Sequence, residues 1–83
     1  MDDANPNSMT PARYIREHVF GIRTQREFAE ALGYEQATIS RFEGGHPFSA
    51  EAQKRIRELA ARRSVDWDNN WFFEVPPARA SAA

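Results

Sequence analysis

Apolar residues recur at helical spacing through the middle of the chain. Phe28 and Leu32 are four residues apart, and Ile39 and Phe42 follow three apart, so each pair gives a helix one apolar side. Gly33 lies between the pairs, where the backbone can take the positive φ that ends a helix. The pattern predicts two short helices joined by a tight turn. Their predicted bounds are 25–32 and 35–43.

Capping residues and prolines mark three further helices. Thr10 and Pro11 suit the N-cap and first position of a helix, and Ser49 suits the N-cap of a longer one. Asp66 suits the start of a short last helix, which the prolines at 76 and 77 prevent from continuing. The predicted bounds are about 11–20, 50–63 and 66–73. The chain is therefore predicted to be all-α, with five helices.

The chain is predicted to form a single small domain. Its 83 residues suffice for one core, which the pattern assigns to residues 9–75, between a disordered N-terminus, 1–8, and a flexible tail, 76–83. No cysteine is present, so neither a disulfide nor a cysteine-based zinc site is available. No apolar run approaches the ~20 residues that span a bilayer, and residues 1–8 lack the features of an export signal. We therefore expect a cytoplasmic protein without a membrane partner.

Charge is distributed unevenly along the chain, although its formal net value is only −1. Residues 9–63 carry ten arginines and lysines against seven glutamates, a surplus of three positive charges. The segments on either side carry five acids against one arginine. Net charge therefore neither favours nor opposes a nucleic-acid partner, while the basic residues belong to the predicted helical domain.

The two central helices resemble the helix-turn-helix of the Cro/CI-type (XRE-type) DNA-binding repressors. That family's pattern is roughly Q-x-x-x-A-x-x-x-G-(apolar)-x-x-x-x-(Ile/Val)-S-x-(apolar)-E-x-G. The matching positions in this chain are Gln25, Ala29, Gly33, Tyr34, Ile39, Ser40, Phe42, Glu43 and Gly45. The wider resemblance covers about residues 9–71. It implies a compact five-helix bundle of the lambda-repressor-like helix-turn-helix type that binds double-stranded DNA.

The second central helix is expected to read bases in the major groove. Gln36 suits a bidentate bond to adenine and Arg41 one to guanine, while Ala37 and Thr38 offer methyl groups to thymine. The predicted base-reading residues are Gln36, Ala37, Thr38, Ser40 and Arg41. The predicted phosphate-binding residues are Arg23, Thr24, Gln25, Arg26 and His46, with Lys54 or Arg55 as a further candidate.

Two glutamates need separate interpretations. Glu35 departs from the family pattern, because an acid beside the groove either repels phosphate, accepts a hydrogen bond from cytosine N4, or ties back Arg23 or Arg26. Glu43 matches a family position whose carboxylate commonly pairs with an arginine of the first helix, which implies a structural role. The candidate partners are Arg13 and Arg16.

Aromatic residues concentrate in the C-terminal segment, at Trp67, Trp71, Phe72 and Phe73. Aromatic side chains anchor interfaces, and a symmetric dimer reads two half-sites about one turn of DNA apart. We therefore predict a homodimer whose contacts these four residues provide. Two other interpretations stay open, a strand over residues 72–75 that pairs across the dimer axis, or a surface that covers a toxin. A third is that Trp67 and one phenylalanine only seal the core.

The residue inventory opposes catalysis and metal binding. The two histidines, His18 and His46, lie in different elements without a paired acid, and no serine has an activating motif. We therefore expect no enzyme, no metal and no cofactor. The sequence predicts a transcriptional regulator, a repressor that binds a pseudo-palindromic operator as a homodimer. The alternative is a protein-interaction module, such as an antitoxin-like protein, that uses the C-terminal aromatic residues to bind a partner.

Overall fold

Four α-helices and one 3-10 turn form in residues 9–76, the part of the chain that a computed structural model describes. The α-helices are α1 (Pro11–Tyr14), α2 (Gln25–Leu32), α3 (Gln36–Glu43) and α4 (Ala50–Arg62). A π-helical turn, Ile15–Val19, continues α1, and the 3-10 turn spans Asn69–Phe72. The predicted all-α class is confirmed for these residues. The predicted disordered segment 1–8 and the predicted tail from residue 77 onward lie outside them.

Side-chain caps fix the starts of α1, α2 and α4 where the sequence predicts them. The hydroxyl oxygens of Thr10, Thr24 and Ser49 accept hydrogen bonds from backbone N–H groups three residues on, at 3.4, 3.1 and 3.0 Å. Each cap satisfies one N–H group that the first turn of a helix otherwise leaves unpaired. Glu35 has the extended backbone of an N-cap, but its side chain makes no capping bond. As a result, α3 begins one residue later than predicted.

The turn between α2 and α3 depends on Gly33. Its φ is +82°, in the left-handed region that a side chain disfavours. The next N–H group, of Tyr34, donates to the carbonyl of Ala29 over 2.8 Å, which closes the end of α2. A Cβ at position 33 would also lie 3.1 Å from Nη1 of Arg55. Gly33 is therefore required both by the backbone and by a side chain that crosses from α4.

The core lies where the helices meet. Its largest fully buried side chains are Phe28 of α2, Ile39 of α3, Ile56 of α4 and Ile15 of the π-helical turn. The other members of the buried cluster are Ile22, Ala29, Leu32, Leu59 and Phe72. Each helix buries its apolar side and exposes its polar side. Packing of the buried sides against one another holds α2 and α3 in a single arrangement.

The first helix differs from its predicted form. It is α-helical only as far as Tyr14 and then widens, so that the N–H group of Phe20 donates to the carbonyl of Ile15, five residues back, over 3.0 Å. The wider turn begins with two successive buried residues, Ile15 and Arg16. Such π-helical turns are rare, and the apolar periodicity of the sequence does not distinguish them from α-helix.

The predicted fifth helix is reduced to the 3-10 turn. Asp68 caps it rather than Asp66, because the Asp68 carboxylate accepts a 2.9 Å hydrogen bond from the N–H group of Asn70. Trp67 precedes the turn and Phe73 follows it. A segment this short gains few hydrogen bonds for the residues that it orders, so it closes one tight turn instead of a full α-helix.

Candidate nucleic-acid interface

The exposed side of α3 carries most of the residues predicted to read bases. Ile39 is 1% exposed and anchors the helix, and half-buried Phe42 packs against the same core. The exposed residues of α3 include Gln36, Ala37, Ser40 and Arg41, while Thr38 is half-buried. Four of the five predicted base-reading residues are therefore accessible to a ligand that lies along α3.

The starts of α2 and α3 are joined by two glutamines. Nε2 of Gln36 donates to Oε1 of Gln25 over 3.4 Å, and Nε2 of Gln25 donates to Oε1 of Glu43 over 3.1 Å. A predicted base-reading residue is thereby in contact with a predicted phosphate-binding residue. Because both ends of the Gln25 amide are engaged, this side chain presents a defined acceptor to Gln36.

A buried ion pair with Arg16 holds the Glu43 carboxylate to which Gln25 bonds. Nε and Nη2 of Arg16 donate to the two carboxylate oxygens of Glu43 over 2.6 and 3.2 Å, and the side chains are 8% and 7% exposed. Nη1 of Arg16 donates to the carbonyls of Ile22 and Arg23, at 3.2 and 2.7 Å. The hydrogen bond to Glu43 raises the pKa of Arg16 and outweighs the opposing effect of burial. Of the two candidate partners of Glu43, the structure therefore selects Arg16.

Positive charge dominates the exposed surface beside these residues. Arg23, Arg26 and Arg41 are exposed, and none of them forms an ion pair within residues 9–76. Glu35 is exposed and likewise unpaired within that range, so the interpretation in which it ties back Arg23 or Arg26 is wrong. Glu27, in the first turn of α2, is exposed as well. Three arginines against two glutamates leave a small excess of positive charge, which favours phosphate.

The remaining predicted phosphate-binding residues, Thr24 and His46, are both exposed. The exposed Thr24 hydroxyl accepts the capping bond from the Glu27 N–H group, which leaves its own hydrogen available to donate. His46 is exposed beyond the end of α3, and its backbone N–H group donates to the carbonyl of Arg41 over 3.1 Å. The backbone of His46 is thus tied to the last turn of α3.

The C-terminal aromatic residues divide between core and surface. Phe72 is 5% exposed and belongs to the core, while Trp67 and Trp71 are half-buried against it, with ring centroids 5.0 Å apart and edge to face. Phe73 is 70% exposed. Of the four predicted dimerisation residues, Phe72 therefore serves the core of the single chain. Residues 73–76 form neither helix nor strand.

Arg55 of α4 has a position that sequence reasoning missed. It was a candidate for phosphate binding, but its Nη1 donates to the carbonyls of Leu32 and Gly33, at 3.0 and 3.3 Å. Its Cζ also lies 4.6 Å from the centroid of the Tyr34 ring. The only signal in the sequence is the spacing of four residues from Glu51, which predicts an ion pair on α4 and nothing about the turn.

Residues 9–76 contain neither a cluster of metal ligands nor a helix that could cross a membrane. No three His, Asp or Glu side chains in this range cluster as metal ligands would. None of the helices in the same range has both the length and the apolar character that crossing a bilayer requires.

Comparison with known proteins assigns no family to the chain. No protein-family model matches it, no curated protein matches it and no solved structure matches it. The function must therefore be argued from the residues and geometry of the site.

Proposed function

We propose that this chain is a sequence-specific DNA-binding transcriptional regulator that acts as a repressor. In this proposal α3 enters the major groove, and its side chains contact base edges. The base-reading residues are Gln36, Ala37, Thr38, Ser40 and Arg41. The residues at the start of α2 bind the neighbouring phosphates and set the register of the protein on the duplex. The phosphate-binding residues are Arg23, Thr24, Gln25 and Arg26, with His46 at the other end of α3.

The contact between Gln36 and Gln25 is the observation that carries this proposal. A glutamine on an exposed helix ordinarily samples many rotamers and loses that freedom when it binds. Here Gln36 bonds to Gln25, which Glu43 holds, and Glu43 is in turn paired with buried Arg16. At 3.4 Å the contact with Gln25 restrains the exposed Gln36 amide only weakly, and the second N–H group and Oε1 of Gln36 stay available to a bidentate partner such as the edge of adenine.

The arrangement of α2 and α3 supports a helix-turn-helix of the lambda-repressor-like type. A connection of three residues, which begins with the left-handed Gly33, joins α2 to α3, and α3 buries Ile39 in the shared core. In the proposed five-helix bundle, the 3-10 turn Asn69–Phe72 takes the place of a shortened fifth helix. This geometry is consistent with the class of protein that the sequence resemblance implies.

A homodimer is part of the proposal, because one α3 reaches too few base pairs to be selective. Two copies related by a twofold axis read two half-sites of a pseudo-palindromic operator, about one helical turn apart. Phe73 and the exposed edges of Trp67 and Trp71 are the proposed contacts between copies. Such a dimer represses by occupying the promoter, which requires no cofactor.

The test is selection of bound duplexes from a pool of randomised DNA by the purified chain. We expect enrichment of a pseudo-palindromic sequence, and an affinity for it that falls as salt rises because phosphate contacts release counterions. The control is a scrambled duplex of the same composition, measured at two salt concentrations. Equal and weak binding to both duplexes would overturn the proposal.

A second function is favoured by the exposure of Phe73. The Phe73 ring is 70% exposed, lies close in sequence to half-buried Trp71, and is followed by the acidic residue Glu74, so it offers an aromatic anchor for a partner. If the chain selects no DNA sequence, this segment becomes the centre of a protein-interaction module, such as an antitoxin-like protein. The observation that would favour this second function is a Phe73→Ser variant that loses a partner bound by the wild-type chain.

A further inference from the structure

Arg55 links α4 to the turn that separates α2 from α3. Nη1 of Arg55 donates to the carbonyls of Leu32 and Gly33, at 3.0 and 3.3 Å. On its other side, Nε and Nη2 donate to one carboxylate oxygen of Glu51, at 3.1 and 2.8 Å. Four hydrogen bonds thus engage a guanidinium group that has five N–H donors.

The two carbonyls to which Arg55 donates lie at the C-terminal end of α2. The last carbonyls of a helix have no partner inside the helix, and a cation near them is favourable. The face of the guanidinium also packs over the ring of Tyr34, the next residue of the turn, with Cζ 4.6 Å from the ring centroid. Arg55 therefore contacts three successive residues, from the last residue of α2 into the turn that leads to α3.

We infer that Arg55 is a positioning residue that locks the turn between α2 and α3, and so fixes the direction in which α3 presents its base-reading side chains. The inference rests on the proposed function, because only a bound duplex makes that direction matter. Gly33 fits the same role, since a Cβ there would lie 3.1 Å from Nη1 of Arg55 and would push it back by a few tenths of an ångström.

The alternative role for Arg55 is a direct contact with phosphate. The geometry opposes it, because the donors that a phosphate would need are already directed at two carbonyls and a carboxylate. The nearby Glu51 carboxylate would also repel a phosphate. A lysine would keep the charge of Arg55 but lacks the planar fork that joins Glu51 to both carbonyls.

The test compares Arg55→Met and Arg55→Lys with the wild-type chain. Arg63→Met is the control, since it removes the same charge from an exposed residue at the end of α4. The probes are the duplex that the wild-type chain enriches from randomised DNA and a scrambled duplex. We expect both Arg55 variants to bind the enriched duplex about tenfold more weakly, within the range for loss of one base contact, and to bind the scrambled duplex as Arg63→Met does. Faster hydrogen exchange at the Tyr34 N–H group, without global unfolding, is expected in both variants.

Three outcomes would overturn the inference. A phosphate contact would weaken binding to both duplexes equally, reduce the slope of log affinity against log salt by about 0.9, and be restored by lysine. A purely structural role would lower the melting temperature and leave the ratio of the two affinities at the wild-type value. Wild-type affinity and exchange in both variants would show that Arg55 does not hold the turn. If the wild-type chain itself enriches no duplex, the proposed function fails, and Tyr34 exchange still tests whether Arg55 holds the turn.

Discussion

The α2–α3 pair exposes most of its polar residues, whereas the C-terminal segment 67–73 buries most of its aromatic residues wholly or in part. On α3, polar side chains stay in solvent, and Gln36 is held through Gln25 and Glu43 although the core does not require it. In the C-terminal segment the rings are numerous, but Phe72 is buried and the two tryptophans are half-buried. A small domain has few residues with which to fill a core, so aromatic density there first reflects packing. Ordered polar residues on a surface are the stronger sign of a binding site.

The largest expected effect comes from breaking the ion pair that supports α2–α3. Glu43→Ala leaves the buried Arg16 guanidinium with a single carboxylate contact, that of its Nη2 to Oε2 of Glu17 at 3.3 Å. Loss of a buried ion-pair partner destabilises a protein by about 3–5 kcal/mol, and because Glu17 remains we expect a cost near the lower end of that range. Because small domains are only marginally stable, much of the chain is expected to unfold. Urea or thermal denaturation followed by circular dichroism measures the change in the free energy of unfolding.

Arg13→Ala is the matched control for the ion pair. Arg13 also pairs with a carboxylate, that of Glu17, over 2.9 Å, but its side chain is 51% exposed. Its loss is expected to cost less than about 1 kcal/mol. Glu43→Gln retains the hydrogen-bonding shape and is expected to fold with an intermediate loss of stability. Equal stabilities of the Glu43→Ala and Arg13→Ala variants would contradict the supporting role of the buried pair.

Substitutions of the adjacent residues Phe72 and Phe73 test the C-terminal segment. Phe72→Ala opens a cavity in the core and is expected to cost about 3–5 kcal/mol of stability. Phe73→Ala is expected to change the stability of the single chain by less than about 0.5 kcal/mol, because the ring is exposed. Denaturation measures the first effect, and sedimentation at micromolar concentration measures whether Phe73→Ala weakens the dimer. A wild-type sedimentation mass for that variant would show that Phe73 does not form the dimer contact.

The elements that could be predicted from the sequence are those whose causes are local. The caps Thr10, Thr24 and Ser49 bond to groups three residues away, and Gly33 ends α2 through its own backbone. Interactions of this kind involve only residues close together in the sequence, so a short stretch of sequence is enough to predict them. The bounds of α2 were therefore predicted to the residue, and those of α3 and α4 to within one residue.

The features that could not be predicted depend on residues far apart in the sequence. Arg16 and Glu43 are 27 residues apart, and Arg55 reaches a carbonyl 23 residues away. The family resemblance implied an arginine partner for Glu43 but left Arg13 and Arg16 as equal candidates, and Arg16, in the π-helical turn, is the buried one. The division between Phe72 and Phe73 has the same origin, since both are apolar and the local pattern does not show which ring the core accepts.

A smaller effect is expected at the base contacts proposed for α3. Arg41→Ala removes a proposed bidentate contact to guanine without touching the core, so binding to the enriched duplex is expected to weaken by about 1–3 kcal/mol and to tolerate more bases at one position. Competition between duplexes that differ at single positions measures both changes. Arg63→Ala is the control, because it removes an equal charge from the end of α4. An equal loss of affinity for enriched and scrambled duplexes would assign Arg41 to phosphate instead.

The smallest effect is expected at Glu35, the one acid beside the proposed base-reading residues. Its exposed carboxylate has no ion-pair partner within residues 9–76, so it faces any bound duplex as an uncompensated negative charge. A site that offers an amino group, such as cytosine N4, offsets the resulting repulsion, whereas random DNA on average does not. Glu35→Gln is therefore expected to tighten binding to scrambled DNA by about threefold, a typical value for one surface charge, and to tighten binding to the enriched duplex by less.

Titration of both duplexes at low and moderate salt measures how much the substitution tightens binding to each of them. Equal tightening would show that Glu35 acts only through its charge, and no change would place it away from the DNA. Less tightening for the enriched duplex than for scrambled DNA would mean that Glu35 improves selectivity by penalising the wrong sites. The uncharged rings of the C-terminal segment cannot select between sites in this way.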